Sequence, residues 1–208
     1  MMRKEEAAEI LKEIGAVTLS PEEPFTWSSG LKSPIYCDNR LLLGHPKQRR
    51  SIAEALAAAA EEEGPDVLAG TATAGIPHAA WAADILGLPM IYVRGSEKSH
   101  GRKNQIEGVL PAGAKVVLIE DLISTGGSAF RAADAVEAAG GEVVSIQAIF
   151  TYGLKAPSLK GEASSRKIKT LTDFDTLLGA ASATMAEDEV QSLKQWQDDP
   201  EAWSRRWE

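Results

Sequence analysis

The stretch Val116-Val117-Leu118-Ile119-Glu120-Asp121-Leu122-Ile123-Ser124-Thr125-Gly126-Gly127-Ser128 constrains this chain more than any other. Four aliphatic residues run into two adjacent acids; two more aliphatics follow, then hydroxyls and glycines that lead into a helix-forming segment. The apolar run reads as a strand buried in a parallel sheet. The acids are expected to emerge at its carboxyl end, where open α/β sheets bind ligands. Glycines in the loop let backbone approach a ligand, hydroxyls can donate to it, and the helix N-terminus that follows favours an anion. No Gly-Lys-Ser/Thr follows the strand, so a Walker P-loop is disfavoured. The alternative is an ordinary strand–turn–helix whose acids face solvent.

Strands and helices alternate around this motif. Val67–Gly70 reads as a strand, and the small-residue loop Thr71-Ala72-Thr73-Ala74-Gly75-Ile76-Pro77 follows it. That loop is either a second anion cradle or a tight turn. A helix carrying Ala79, Ala82, Ala83 and Leu86 stops at Gly87, and Pro89–Val93 is the next strand. Ile106–Leu110 reads as a short strand and Lys115–Ile119 as the motif strand. A helix from about Gly127 to Ala139 and a strand over Val143–Phe150 complete the series. The β-α-β-α-β order predicts an α/β fold, a doubly wound parallel sheet flanked by helices, with right-handed crossovers.

The ends are less regular. A helix is expected from Glu5 to Gly15, and Pro46 opens another that Gly64 ends. Between them, Phe25–Arg40 suggests two short strands joined at Ser29-Gly30. From pattern alone this is a hairpin that packs on the sheet. Beyond the core, Lys155–Ala163 reads as a weak helix and Ile168–Leu171 as a strand. Asp173 caps a helix running to Ala181, and Glu187–Trp196 forms another. Trp196, Trp203 and Trp207 crowd the C-terminus, where packing or oligomer contacts explain aromatic residues better than base stacking.

Composition narrows the function. A formal net charge of −8 argues against a general nucleic-acid binder, which presents a basic footprint. No apolar run approaches a transmembrane length, and Met1–Glu6 lacks the apolar core of a signal peptide. The single cysteine, Cys37, excludes an internal disulfide framework, so a cytoplasmic location is expected. No His/Cys/Glu set has zinc-site spacing; a magnesium ion carried by a phosphorylated substrate stays open.

In this acidic chain the segment Arg94-Gly95-Ser96-Glu97-Lys98-Ser99-His100-Gly101-Arg102-Lys103 stands out as basic. Alone it reads as a solvated charged loop. Beside a phosphate motif it reads as a lid that closes over a polyanion and excludes water.

Residues Glu120–Ser128 resemble the phosphoribosyl-pyrophosphate (PRPP) motif of the type I phosphoribosyltransferases. The acid pair suits a ribose, since ionised carboxylates only accept hydrogen bonds and a ribose offers two neighbouring hydroxyl donors. Phe25–Arg40, with Ser29-Gly30-Leu31-Lys32-Ser33-Pro34, resembles the orotate-covering hood of the orotate phosphoribosyltransferases. Arg94, Lys98 and His100 resemble that family's catalytic loop. The resemblance implies transfer of a phosphoribosyl group from PRPP to orotate, giving orotidine 5′-monophosphate and pyrophosphate, with magnesium (Mg2+) on the pyrophosphate. It implies that Glu120 and Asp121 hold the ribose hydroxyls and that Ser124, Thr125, Gly126, Gly127 and Ser128 hold the 5-phosphate, with Leu122 and Ile123 completing the motif. Ser124 would also touch orotate, beside Lys32 and Tyr36, while Arg94, Lys98 and His100 would meet the pyrophosphate. It further implies a homodimer whose lid is shared across the interface. One compact unit is expected: N-terminal helix and hood over 1–45, PRPP-binding core over 46–175, helical tail over 176–208. Some members carry an orotate-binding arginine near the position of Tyr152 and a tyrosine–lysine pair at Thr73-Ala74; this chain has neither. A purine phosphoribosyltransferase and a non-catalytic PRPP-sensing regulator are the competing readings.

Overall fold

Val116, Val117, Leu118 and Ile119 are fully buried in a six-stranded sheet. The computed structural model describes residues 2–27, 29–95, 105–154 and 166–207. In chain order these form α1 (Lys4–Glu13), β1 (Val17–Leu19), β2 (Phe25–Thr26), β3 (Lys32–Ser33), β4 (Ile35–Cys37) and a 3-10 helix (Asn39–Gly44). The core follows as α2 (Pro46–Glu61), β5 (Val67–Thr71), α3 (Gly75–Leu86), β6 (Met90–Val93), β7 (Ile106–Glu107), β8 (Lys115–Ile123), α4 (Gly127–Ala138), β9 (Glu142–Thr151) and β10 (Ile168–Asp173). The tail is α5 (Phe174–Ala181), α6 (Glu187–Asp198) and α7 (Pro200–Ser204).

The sheet runs β10-β9-β8-β5-β6-β7, parallel throughout except for β7. From β5 the chain winds outward to β6, then returns to place β8 on the other side of β5. The reversal falls between β5 and β8, which is where a doubly wound sheet opens a crevice for ligands. Alternate residues of β8 serve two layers. Val117 and Ile119 join Leu11, Leu56, Ala79 and Trp196 on one face; Val116 and Leu118 join Ala129, Phe130 and Ala133 of α4 on the other.

Three expectations are corrected. The motif strand does not stop before the acids but continues to Ile123, because the longer β9 keeps pairing with it at Glu120↔Ala148 and Leu122↔Phe150. The strand at Ile106 is only two residues long and antiparallel to β6. Gly108 ends it at φ +110, where an added Cβ would lie 3.0 Å from the Ile91 side chain. The expected hairpin is two pairs instead: β2 with β3, and β4 with β1, divided at Pro34. Proline brings no N–H to a ladder, so the strand breaks there and its halves pair separately. The expected helix over Lys155–Ala163 lies outside the described residues.

Helix α3 lies unusually tight against β5 and β8. A Cβ on Gly70 would lie 2.8 Å from Ile76 Cα, and one on Gly75 would collide with the Ile119 carbonyl oxygen. Gly75 thus seats the first turn of α3 on β8 just before the acids. Gly75→Ala is expected to cost about 1–3 kcal/mol, the typical penalty for overpacking against a rigid neighbour. Denaturant unfolding measures this; unchanged stability would show that α3 moves aside freely.

Candidate active site

The acid pair owes its position to unequal strand lengths. The pairing of β8 with β5 ends at Gly70↔Ile119, while its pairing with β9 continues to Ile123↔Thr151. Glu120 and Asp121 therefore stand at the crevice beside the start of α3. Glu120 is only 5% exposed and Asp121 is half-buried. The Asp121 N–H donates to Glu120 Oε1 at 3.1 Å, and Ser128 Oγ, in the first turn of α4, donates to Oε2 at 3.3 Å. Burial raises both carboxyls above their ordinary range, and for Glu120 the charge of Asp121 adds to the effect.

The loop after the strand turns on Gly126. Its φ of +82 places it in the left-handed region, and the Phe130 ring occupies the space a Cβ would need, 2.6 Å away. Gly126 is the N-cap of α4, so the N–H groups of Gly127 and Ser128 begin that helix. The end of β8 is pinned to β9: Thr151 Oγ1 donates to the Ile123 carbonyl at 3.0 Å, and the Tyr152 N–H reaches it at 3.3 Å.

Above this floor the N-terminal strands form a roof, enclosing a cavity of about 710 Å³. Trp27, Leu31, Tyr36 and Cys37 face Leu122, Ser124, Thr125 and Tyr152 across it. Arg40 is the one lysine or arginine lining it among the described residues, and a two-point ion pair with Asp38 at 2.6 and 2.8 Å orients its guanidinium. Asn39 ties roof to floor: its Nδ2 donates to the Asp121 carbonyl at 2.7 Å, and its Oδ1 accepts from Cys37 Sγ at 3.4 Å. Cys37 is buried, and burial raises its thiol far above the usual range, which suits a lining role and no nucleophilic one.

The fold brings together Tyr36, Ser124 and Thr125 around the cavity, with Glu120, Asp121 and Ser128 behind its floor. Lys32 does not itself line the cavity, but its Nζ donates at 2.8 Å to Oγ1 of Thr26, which does. Arg94 sits at the end of β6, 3.6 Å from Glu107, with its N–H on the Gln105 carbonyl at 2.9 Å, so the two ends of the basic loop are joined. Lys98 and His100 lie outside the described residues. The Thr71–Gly75 segment is held at Ala72 N–H to the Val93 carbonyl, 2.8 Å, and the Ala72–Thr73 peptide is cis. Sequence reasoning missed Trp27, Arg40, Asn39 and Tyr152 as site residues. All four lie inside or beside segments it singled out, but only the chain's folding turns Trp27, Arg40 and Tyr152 toward one cavity and Asn39 onto the Asp121 carbonyl.

With this geometry in view, comparison with known proteins is decisive. The phosphoribosyl transferase domain model matches residues 41–176. The orotate phosphoribosyltransferase of Listeria innocua is 54% identical over 209 residues, covering 99% of this chain and 100% of that protein. The chain belongs to the orotate phosphoribosyltransferase family. The family's crystal structure from Aeropyrum pernix superposes with a TM-score of 0.73 at 29% identity, covering 86% of this chain and 99% of that one. UMP synthase of Leishmania donovani gives 0.75 at 26% identity, this chain covering 42% of that one.

The buried acid pair makes a stability prediction. A carboxyl raised by folding above its ordinary value of 4.5 contributes most at low pH, and that contribution is lost as pH rises through its folded value. Glu120→Gln should therefore stabilise the ligand-free protein most at and above about pH 8, by an increment that shrinks as pH falls from about 8 to 4.5 and is gone below that. Thermal melts of both proteins across pH check this; a variant less stable than wild type at every pH contradicts it.

Proposed function

We propose that this chain is an orotate phosphoribosyltransferase that carries the phosphoribosyl group of PRPP to orotate, in pyrimidine (UMP) biosynthesis. One observation supports the reading above all: a roofed, mostly apolar cavity for a flat base meets an acid pair and a glycine-bearing helix N-terminus at the crevice of the sheet.

In this reading Glu120 and Asp121 accept from the ribose hydroxyls, and the Ser124–Ser128 loop receives the 5-phosphate. The base lies between Trp27, Leu31 and Tyr36 above and Leu122 and Ser124 below. A ring nitrogen of orotate attacks the anomeric carbon as the bond to pyrophosphate oxygen breaks, and the bonding electrons leave with pyrophosphate. Positive charge develops on the ribose and negative charge on the leaving group. Fixed cations at the leaving group therefore favour the transition state over the ground state. Arg94, Lys98 and His100 supply these from the lid, with His100 hydrogen-bonding the departing oxygen. Orotate has an acidic ring, so no strong general base is required.

Magnesium enters as part of the substrate. Among the described residues, no three His, Cys, Asp or Glu side chains converge as a metal site. In this reading the ion keeps most of its water and binds largely through substrate phosphates. A homodimer fits the exposed Leu41 and Leu43; the Leu43 carbonyl accepts from Arg49 at 3.1 Å, and that guanidinium stacks 4.7 Å over the Trp81 ring. Cytoplasmic operation fits the phosphorylated substrate, and no described helix is long and apolar enough to cross a membrane.

The test mixes protein, PRPP, magnesium and orotate, and follows the loss of orotate absorbance with formation of orotidine 5′-monophosphate. Inactivity on orotate with turnover of adenine or hypoxanthine would refute the reading. Lys98→Ala should lower kcat by about 100-fold or more, on the scale of removing one preorganised transition-state donor; near-normal turnover would remove the lid from the mechanism.

A further inference from the structure

The hood is too small to hold its own position. Its strands β2 and β3 are two residues each, and an isolated hairpin of any length is marginal in water. Asn39 and the buried Ile35 hold the β4 end of the hood, and the β2–β3 end is fixed from the far end of the chain. The Lys32 N–H, on the outer edge of β3, donates to Ser204 Oγ at 2.9 Å, and Ser204 is buried. Ser204 ends α7, which Asp199 caps by accepting from the Ala202 N–H at 2.9 Å. The Trp203 Nε1–H donates to Ser192 Oγ at 3.0 Å and fastens α7 to α6.

Helix α6 in turn grips both walls of the cavity. Trp196 meets Trp27 edge-on at 5.7 Å and Tyr152 edge-on at 5.4 Å. Trp27 belongs to the roof and Tyr152 to the floor, and their rings lie 5.3 Å apart. Gln197 donates from Nε2 to the Tyr152 carbonyl and to Asp175 Oδ1, both at 3.2 Å. Neither Ser204, Trp196 nor Gln197 lines the cavity. The acid pair and the phosphate loop rest on β9, Ser128 and α4, with Asn39 bonding the Asp121 carbonyl, and none of these contacts involves Ser204.

We propose that the C-terminal helices are a latch that sets the height of the hood over the base, with Ser204 as its positioning residue. This rests on the functional reading above and extends it: the tail governs affinity for the base and leaves the phosphoribosyl end alone. The latch acts before substrate arrives, so the free protein already holds its base cavity formed.

Ser204→Ala removes the acceptor and leaves the Lys32 N–H unpaired, whereas Ser204→Thr keeps a hydroxyl. The alanine variant should raise the KM for orotate about fivefold, the worth of one net hydrogen bond, with the KM for PRPP and kcat within about twofold of wild type. The threonine variant should lie near wild type. Amide exchange at Lys32 should speed up in the alanine variant only. Gln197→Met, which frees the Tyr152 carbonyl, should shift the orotate KM in the same direction and provides an independent reading should a Ser204 variant fold poorly. An unchanged orotate KM in an active Ser204→Ala enzyme overturns the latch, as does an equal rise in both KM values. Wild-type protein that turns over no orotate fails the functional reading instead, a distinguishable result.

Discussion

Two adjacent carboxylates at the end of a buried strand are the constraint on which the structure turns. Desolvation opposes charge on Glu120 and Asp121, and no lysine or arginine bonds either directly among the described residues. What holds them is a short set of polar contacts: the Asp121 N–H, the Ser128 hydroxyl, and the Asn39 amide on the Asp121 carbonyl. A site of this kind is unfavourable when empty and improves when donors arrive. A sugar with two neighbouring hydroxyls is a ligand of that chemistry. The tight seating of α3 at Gly75 and the unequal lengths of β5 and β8 exist, in this view, to keep the pair at the crevice.

The molecule then divides its labour by layer. In the proposed reading the sheet and α4 present the ribose anchor and the phosphate loop. The N-terminal strands present the roof, and Asn39 bridges the two. The tail, joined to the roof at Ser204 and to both walls at Trp196, registers one layer against the other. Leu11 of α1, Ile35 of β4, Leu56 of α2 and Trp196 of α6 share one buried cluster, so the hood and the tail are extensions of the core's packing.

Much of this was legible in the sequence because local rules dominate there. Apolar strands with intervening helices and glycine stops gave the winding order, and Asp173 caps its helix as its residue type suggests, accepting from the Thr176 N–H at 2.9 Å. The motif at Glu120–Ser128 stood out as a candidate ligand site by composition alone. What escaped was set by partners distant in sequence. The strand through the acids is prolonged by β9, which no local pattern records. The pairing of β1 with β4 joins short segments about twenty residues apart, neither periodic enough to stand out. Arg40, Asn39 and Tyr152 became site residues only through the closing of roof on floor. Lys32 was singled out by its place in the hood, and its ammonium bonds Thr26 on the cavity wall.

The central claim is that the acid pair receives the ribose hydroxyls. Hydroxyl donors favour the ionised carboxylate, so binding should lower a pKa that burial has raised and expel a proton. Isothermal titration of PRPP into the protein near neutral pH, in buffers of differing ionisation enthalpy, reads that proton directly. The account predicts net proton release by wild type that is largely abolished in Glu120→Gln. The same proton count in both proteins would contradict it.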